Sequence, residues 1–337
     1  MNIWSYILKR ALLMVPTLIG VIAITFAVTQ FVPGGPVEQA LMELKKGQSG
    51  GGEVASGGSG YRGRQGVDAE RVKEITALYG FDKPAPERFW QMVKGFASFN
   101  LGQSFYHHKD VWNLVKSKLP VSITLGLWTF FLTYLVSVPL GIAKAVREGS
   151  KFDSATSLVI LVGYSIPGFV LGVFLLVMFG GGSFLQWFPL RGLTSENWDA
   201  LSWFGKTTDY LWHITLPVTA SVAGSFAVMT MLTKNTFLEE IRKQYVLTAR
   251  AKGLNENTVL YKHVFRNALI PLVTGFPAAF IGAFFAGSLL IETLFSLDGL
   301  GLLSYESVIR RDYPVVMGTL YLFTLIGLVV KLLGDLC

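Results

Sequence analysis

Apolar runs without Asp, Glu, Lys or Arg recur along this 337-residue chain, and the charges gather in the segments between them. A helix needs about 20 such residues to cross the roughly 30 Å hydrocarbon core of a bilayer. Six runs reach or approach that length: Ala11–Val32, Leu119–Ala143, Ser154–Gly180, Ile214–Thr233, Ala268–Ile291 and one that begins at Pro314 and stays uncharged to Val330. The pattern therefore predicts an N-terminal span within 1–32 and further spans at 119–143, 154–180, 214–233, 268–291 and 314–336. Between them lie 33–118, 181–213, 234–267 and 292–313. The first run follows Lys9 and Arg10 as a signal peptide would. It is too long for a usual signal core and lacks a small-x-small cleavage site before Pro33, so a retained anchor is expected.

Composition agrees. The chain is 51% apolar and 15% charged, with mean hydropathy +0.48, whereas globular chains carry roughly a quarter charged residues. One cysteine, Cys337, excludes a disulfide framework, and four histidines offer little for a metal enzyme. The net charge of +7 follows the topology. With the N-terminus inside, the inner segments hold 13 Lys and Arg, and the short outer loops hold 4. Basic residues stay on the cytoplasmic side, so both termini are expected there, and no nucleic-acid partner is needed to explain the charge.

The outer segment 33–118 is far longer than a turn. From Gly47 to Gly66 it holds 9 glycines in 20 residues, too little apolar surface to offset ordering, and a mobile loop is expected. Gly58-Ser59-Gly60-Tyr61-Arg62-Gly63 matches a dinucleotide fingerprint but lacks the strand before it and the helix after it. Helices are expected over Asp68–Tyr79 and from Pro86 through Phe96, on the outer face of the membrane. They serve either as interface packing, with Trp90 near the headgroups, or as a docking surface for an external partner.

Two spans carry breaks or small residues. Ile166-Pro167-Gly168 interrupts the third, and such a break marks either a packing kink or a permeation path. In the fifth, Gly275, Ala279, Ala283 and Gly287 recur every four residues beside Ala278, Gly282 and Ala286. Small residues on one face allow close helix approach, with tight bundle packing the first expectation and the lining of a conduit compatible with it. No ionisable residue lies well inside a span, and Glu292 and His213 stand at outer edges. That disfavours ion-coupled carriers, which need such groups at membrane depth, and it disfavours membrane enzymes too.

The inner segment 234–267 is too long for a turn and too short for a domain. It reads as a helix over Thr236–Lys252, a stop at Gly253, and a second helix from about Glu256 to Asn267. Gly253 suits the C′ position, Arg250 and Lys252 the last helical turn, and Asn255 the next N-cap. Val246, Leu247, Leu254, Val259 and Leu260 require burial against something.

Gln244-Tyr245-Val246-Leu247-Thr248-Ala249-Arg250-Ala251-Lys252-Gly253-Leu254, followed by Phe265-Arg266-Asn267-Ala268-Leu269-Ile270-Pro271, resembles the cytoplasmic "EAA" loop of ATP-binding-cassette import permeases of the oligopeptide/dipeptide kind. Phe31-Val32-Pro33-Gly34-Gly35-Pro36, Leu78–Pro84, Leu101-Gly102-Gln103-Ser104, Leu119–Leu125, Glu292–Gly301 and Arg311-Asp312-Tyr313-Pro314-Val315 agree with that family. The likeness runs from Lys9 to Asp335 and is greatest to the YejB-type (peptide/microcin C) branch, on the Gly-rich insertion, Tyr61-Arg62-Gly63 and Leu211–Pro217. Leu247-Thr248 stands where the general motif has Glu-Ala, and the family's short Asp-Pro-Arg tail is expected beyond Cys337.

The resemblance implies an all-α integral membrane protein with six transmembrane helices, of the type I importer permease fold, in a bacterial inner membrane. It implies half of a translocation path for peptides, completed by a second homologous permease. A periplasmic peptide-binding protein would deliver substrate. Separate ATPase subunits would hold ATP and Mg, since this chain has no G-x-x-x-x-G-K-[ST] run and is expected to bind no cofactor. Tyr245, Thr248, Ala249, Arg250, Ala251, Lys252, Gly253 and Leu254 would couple to the ATPase, and Pro167, Gly275, Ala279, Gly282, Ala283 and Gly287 would line the path. Three alternatives stay open: a channel or scaffold subunit without ATP coupling, a proton-coupled carrier, and an importer of the same family for nickel or another small solute.

Overall fold

The computed structural model describes residues 3–31, 82–180, 184–285 and 289–336, without the side chains of 3, 31 and 283–285. The Gly-rich stretch 47–66, the helix expected over 68–79, and Gly287 lie outside them. Among the described residues the fold is helical, and one isolated bridge joins Gln103 to Asp110. The helices are α1 (Ile3–Phe31), α2 (Ala85–Ala97), α3 (Val111–Val146), α4 (Lys151–Ser165), α5 (Gly168–Leu175, continued by a π-turn Leu176–Gly180), α6 (Trp203–Ile241), α7 (Gln244–Ala251), α8 (Glu256–Ala268), α9 (Ile270–Phe285), α10 (Leu289–Leu294), α11 (Leu300–Ile309) and α12 (Tyr313–Leu336).

Helices α1, α3, α6 and α12 are each long and apolar enough to cross a membrane, and six spans result if two bent pairs count as one span each. The first pair is α4 with α5 and its π-turn, bent by 90°. Pro167 has no N–H and forces its predecessor out of the helical region, so Ile166 is extended at φ −92°, ψ 116°. The second pair, Glu256–Ala268 with Ile270–Gly282, bends by 49°, and Pro271 stands in the first turn after the bend. The helices also outrun the charge-free runs. α3 begins at Val111 rather than Leu119, and α6 extends well past 214–233 at both ends, because a helix can leave the apolar layer and continue with polar residues.

By contacts the chain forms two compact units, 1–116 with 304–325, and 117–303 with 326–337. In the first, Phe26 packs on Phe89 and Phe96 on Tyr321, at ring separations of 5.5 and 5.1 Å. Ser104 donates to the Asp312 carboxylate, which also accepts the Phe105 N–H at 3.0 Å. The short motifs around residues 101–104 and 311–315 thus meet in space.

In the second unit the buried side chains form two clusters. One joins Leu125 of α3, Ile214–Ala220 of α6 and Ile291–Leu297. The other joins Ala145 of α3 and Phe237 of α6 to Val246, Ala249, Val259, Val264 and Ala268. α3 and α6 approach closely at Gly141, where a Cβ would lie 2.6 Å from the Thr233 Cβ and 2.8 Å from the Thr230 carbonyl oxygen. Near that end, Lys144 is fully buried inside four oxygens. Its Nζ lies 2.9 Å from Asp153 Oδ1, 2.9 Å from the Asp153 carbonyl, and 2.8 Å from both Thr156 Oγ1 and Ser157 Oγ. Lys234 of α6 bonds both oxygens of the same carboxylate at 2.8 Å.

Gly141→Ala will therefore lower the thermal unfolding temperature in detergent, at a cost of about 1–3 kcal/mol from overpacking. Gly163→Ala, whose added Cβ meets nothing within 4 Å, will be neutral or slightly stabilising in the same assay.

Candidate functional site

The segment 234–267 is a helical hairpin, built differently from the sequence expectation in one respect. The first helix is not continuous over Thr236–Lys252. α6 runs on to Ile241, breaks at Arg242-Lys243, and α7 begins at Gln244. Glu240 closes the corner, accepting from the Lys243 ammonium and from the Tyr245 hydroxyl at 2.7 Å. Burial raises the Tyr245 phenol pKa above its ordinary value, which keeps the donor proton in place.

The tip has a Schellman end. Gly253 is left-handed at φ 79°, its N–H reaches the Arg250 carbonyl at 2.9 Å, and the Leu254 N–H reaches the Ala249 carbonyl at 3.4 Å. Asn255 then caps α8, its side chain accepting the Thr258 N–H at 2.7 Å. Arg250 grips Glu256 with two bonds of 2.9 and 3.0 Å, across the turn.

Burial divides the hairpin. Val246 and Val259 are fully enclosed with Ala145, Phe237, Val264 and Ala268, so most of the apolar demand is met inside this chain. Ala249, which the resemblance implies is one of the coupling residues, is buried in the same cluster and does not face outward. Tyr245 is half-buried. Leu247, Thr248, Arg250 and the whole run Ala251–Asn257 are exposed. The exposed Arg250 guanidinium is held by Glu256 across the turn.

A second feature is a cavity of about 810 Å³ bounded by α3, α5, α6, α9 and α10. Its polar lining is made of hydroxyls: Ser122, Thr129, Thr133 and Tyr134 from α3, Ser221 and Ser225 from α6. Thr133 is buried, and its Oγ1 finds no hydrogen-bond partner among the described residues. Gly168, Gly224, Ala279 and Gly282 supply bare surface, and Glu292 closes one end. Of the six residues expected along a path, Ala279 and Gly282 border this cavity. Pro167 lies next to the bordering Gly168, and Gly275 does not border it. Among the described residues, a Cβ at Gly275 or Gly282 would meet nothing within 4 Å. Ala283 is helical within α9, and Gly287 lies outside the described residues.

Glu292, read from sequence as an edge charge, is completely buried. Its carboxylate accepts the Leu302 N–H at 2.7 Å, and Ser122 Oγ accepts the Leu300 N–H at 2.9 Å. Together they satisfy the first turn of α11, whose donors have no partners within the helix. Gly299 is pressed against the same carboxylate, where a Cβ would lie 2.6 Å from its carbon. Lys118 pairs with Asp298 beside them. The motifs Leu119–Leu125 and Glu292–Gly301 are thereby two halves of one joint, invisible to any local reading because the bonds span 10 and 178 residues.

Residues 137–337 match the family described as binding-protein-dependent transport system inner membrane component. Over 98% of its length the chain is 53% identical to the inner membrane ABC transporter permease protein YejB of Escherichia coli O157:H7, covering 96% of that protein. The chain belongs to that permease family. It is equally similar, at 53%, to the peptidoglycan transport system permease protein YejB of Agrobacterium fabrum, of which 95% is covered. Identity to the dipeptide transport system permease protein DppB of Escherichia coli K12 is 31%, over 98% of this chain and 96% of that protein. A permease of this family is a membrane transport subunit of the inner membrane, and the ATPase of such a system is a separate subunit. The family's binding-protein dependence implies ATPase and substrate-binding partners.

Replacing Glu292 by Ala will leave the Leu302 N–H buried without an acceptor, at about 1–3 kcal/mol, and will raise hydrogen exchange at residues 300–302. Glu292→Gln, which keeps an acceptor oxygen, will lose less. Asp298→Ala, at an ion pair whose carboxylate side chain is 66% exposed, will be nearly silent in both measurements.

Proposed function

We propose that this permease forms half of a peptide path across the bacterial inner membrane, with both termini in the cytoplasm and 33–118, 181–213 and 292–313 in the periplasm. A second homologous permease completes the path, ATP-binding subunits holding ATP and Mg drive it, and a periplasmic peptide-binding protein supplies it. The orientation rests on the basic residues, 13 in the inner segments against 4 in the short outer loops.

The observation that carries the reading is the hairpin's division into an enclosed base and an exposed, geometrically fixed tip. A lever needs both: a base that moves with the spans and a surface that a partner can grip. The Schellman end, the Asn255 cap and the Arg250–Glu256 fork hold the tip in one shape before any partner arrives, which lowers the ordering cost of docking. The contact set is Leu247, Thr248 and Arg250 to Leu254. Tyr245 and Ala249 support it from within.

The cavity fits the proposed cargo. Hydroxyls can donate and accept, so they serve the N–H and C=O groups of any peptide without selecting side chains. Among the described residues the lining carries one ionisable carboxylate, Glu292, and no lysine, arginine, histidine or aspartate, a set with little to select among peptide side chains, so choice among peptides is assigned to the binding protein. The relative named for peptidoglycan transport directs attention to cell-wall peptides within the same class.

The test is affinity capture of the tagged chain in mild detergent, with reconstituted uptake of a tripeptide and of a cell-wall peptide. Capture will bring a second permease and ATP-binding subunits. Gly253→Asp, which forces a side chain into a left-handed position and a charge onto the tip, will lose the ATP-binding subunits and lower uptake by about tenfold or more. Normal uptake by that variant, or nickel transport without peptide transport by the unaltered complex, overturns the proposal.

A further inference from the structure

The ionic cluster of Lys144, Asp153 and Lys234 lies between the hairpin and the cavity and belongs to neither. Lys144 directly precedes Ala145, and Lys234 is one turn before Phe237, the two side chains on which the hairpin base is packed. Asp153 sits in the first turn of α4, where Ser150 caps its N–H at 3.2 Å and its own carboxylate accepts the Gly149 N–H at 3.2 Å. One carboxylate therefore joins the end of α3, the start of α4 and the body of α6.

α4 packs along α6 but encloses few of its own side chains. Of its fifteen residues only Asp153 and Ile160 are buried, and Leu158, Val159, Leu161, Val162 and Tyr164 are exposed. Its far end turns through the 90° bend into Gly168 and Phe169, which border the cavity. At the bend, Gly168 sits against α6, where a Cβ would lie 2.9 Å from the Ala220 carbonyl oxygen.

We infer that Asp153 is a positioning residue for energy coupling: through Lys144 and Lys234 it makes α4 move with the hairpin base and carries that movement through the Pro167 bend to the cavity wall. This rests on the reading of 234–267 as the ATPase-coupling segment. Without the tie, the hairpin would still be gripped and α6 would still move, but α4 and the cavity edge it carries would lag. ATP would be hydrolysed without a matching passage of peptide.

Lys234→Met tests this with little risk to the fold, because it leaves Lys144 and Asp153 as a neutral buried pair and cuts only the α6 link. Peptide uptake and ATP hydrolysis are measured together in proteoliposomes holding the full complex and binding protein. The expected result is hydrolysis within about twofold of the parent, with peptide moved per ATP reduced by about tenfold, the upper range of coupling effects from residues that touch neither ligand. Lys234→Arg, which keeps the ion pair, will restore the ratio. A purely structural role would lower uptake and hydrolysis in proportion and leave the ratio unchanged, which overturns the inference. Asp153→Asn is the second variant, read by the same ratio if Lys234→Met does not accumulate. If the unaltered complex shows no ATP-dependent peptide uptake, the proposed function fails. If it does and both variants keep the parent ratio, only the coupling role of Asp153 fails.

Discussion

An ammonium group enclosed by protein must exchange the water it gave up for protein oxygens, and Lys144 has four of them within 2.9 Å. The same constraint acts on every polar group between the apolar faces of this chain. The hydroxyls of Thr215, Thr219, Ser221, Thr230 and Thr233 turn back to carbonyls of their own helix four residues earlier, at 2.6 to 2.8 Å. One oxygen of the Glu292 carboxylate accepts the Leu302 N–H in the first turn of α11. Backbone and side-chain polarity in an apolar setting must be satisfied internally, and here that requirement decides where helices are tied to one another.

These ties divide the second unit into firmly and loosely packed regions. Where α3, α4 and α6 converge, charge pairing and the buried cluster around Phe237 make a firm block, and the hairpin is part of it. Elsewhere the contacts are looser: among the described residues, a Cβ at Gly224, Gly275 or Gly282 would meet nothing within 4 Å. The two bends, at Ile166-Pro167 and before Pro271, stand between these regions.

Much of this was legible in the sequence, and what was hidden has physical reasons. Charge-free runs marked the spans because burial in lipid is a property of each residue. Their helix ends were misplaced because nothing in a polar residue stops a helix that is already formed. Gly253 and Asn255 were readable because a left-handed C′ and an N-cap are local requirements. The break at Arg242-Lys243 was not readable, since no Gly or Pro marks it and the Glu240 contacts that close it are side-chain choices. Ala249 was misread because which side of a two-turn helix is buried depends on the distant Ala145 and Phe237. The stripe of small residues in α9 was plain from its spacing, yet spacing does not say what comes to lie against it. Glu292 looked like an ordinary charge at the end of an apolar run, because its role lies in the fold of the segment that follows, where it meets the Leu302 N–H.

On this reading the tip of the hairpin, and not its enclosed base, is the surface that meets an ATP-binding subunit. The most direct measurement is cross-linking in the membrane after Cys337 is replaced by Ser, with single cysteines at Ala251 or Ala249 and a short thiol-reactive linker. Ala251→Cys, on the exposed tip, is expected to join the chain to an ATP-binding subunit, and Ala249→Cys, within the buried cluster, is expected not to. Cross-linking from Ala249 alone, or from neither position in a complex that hydrolyses ATP, would contradict the account.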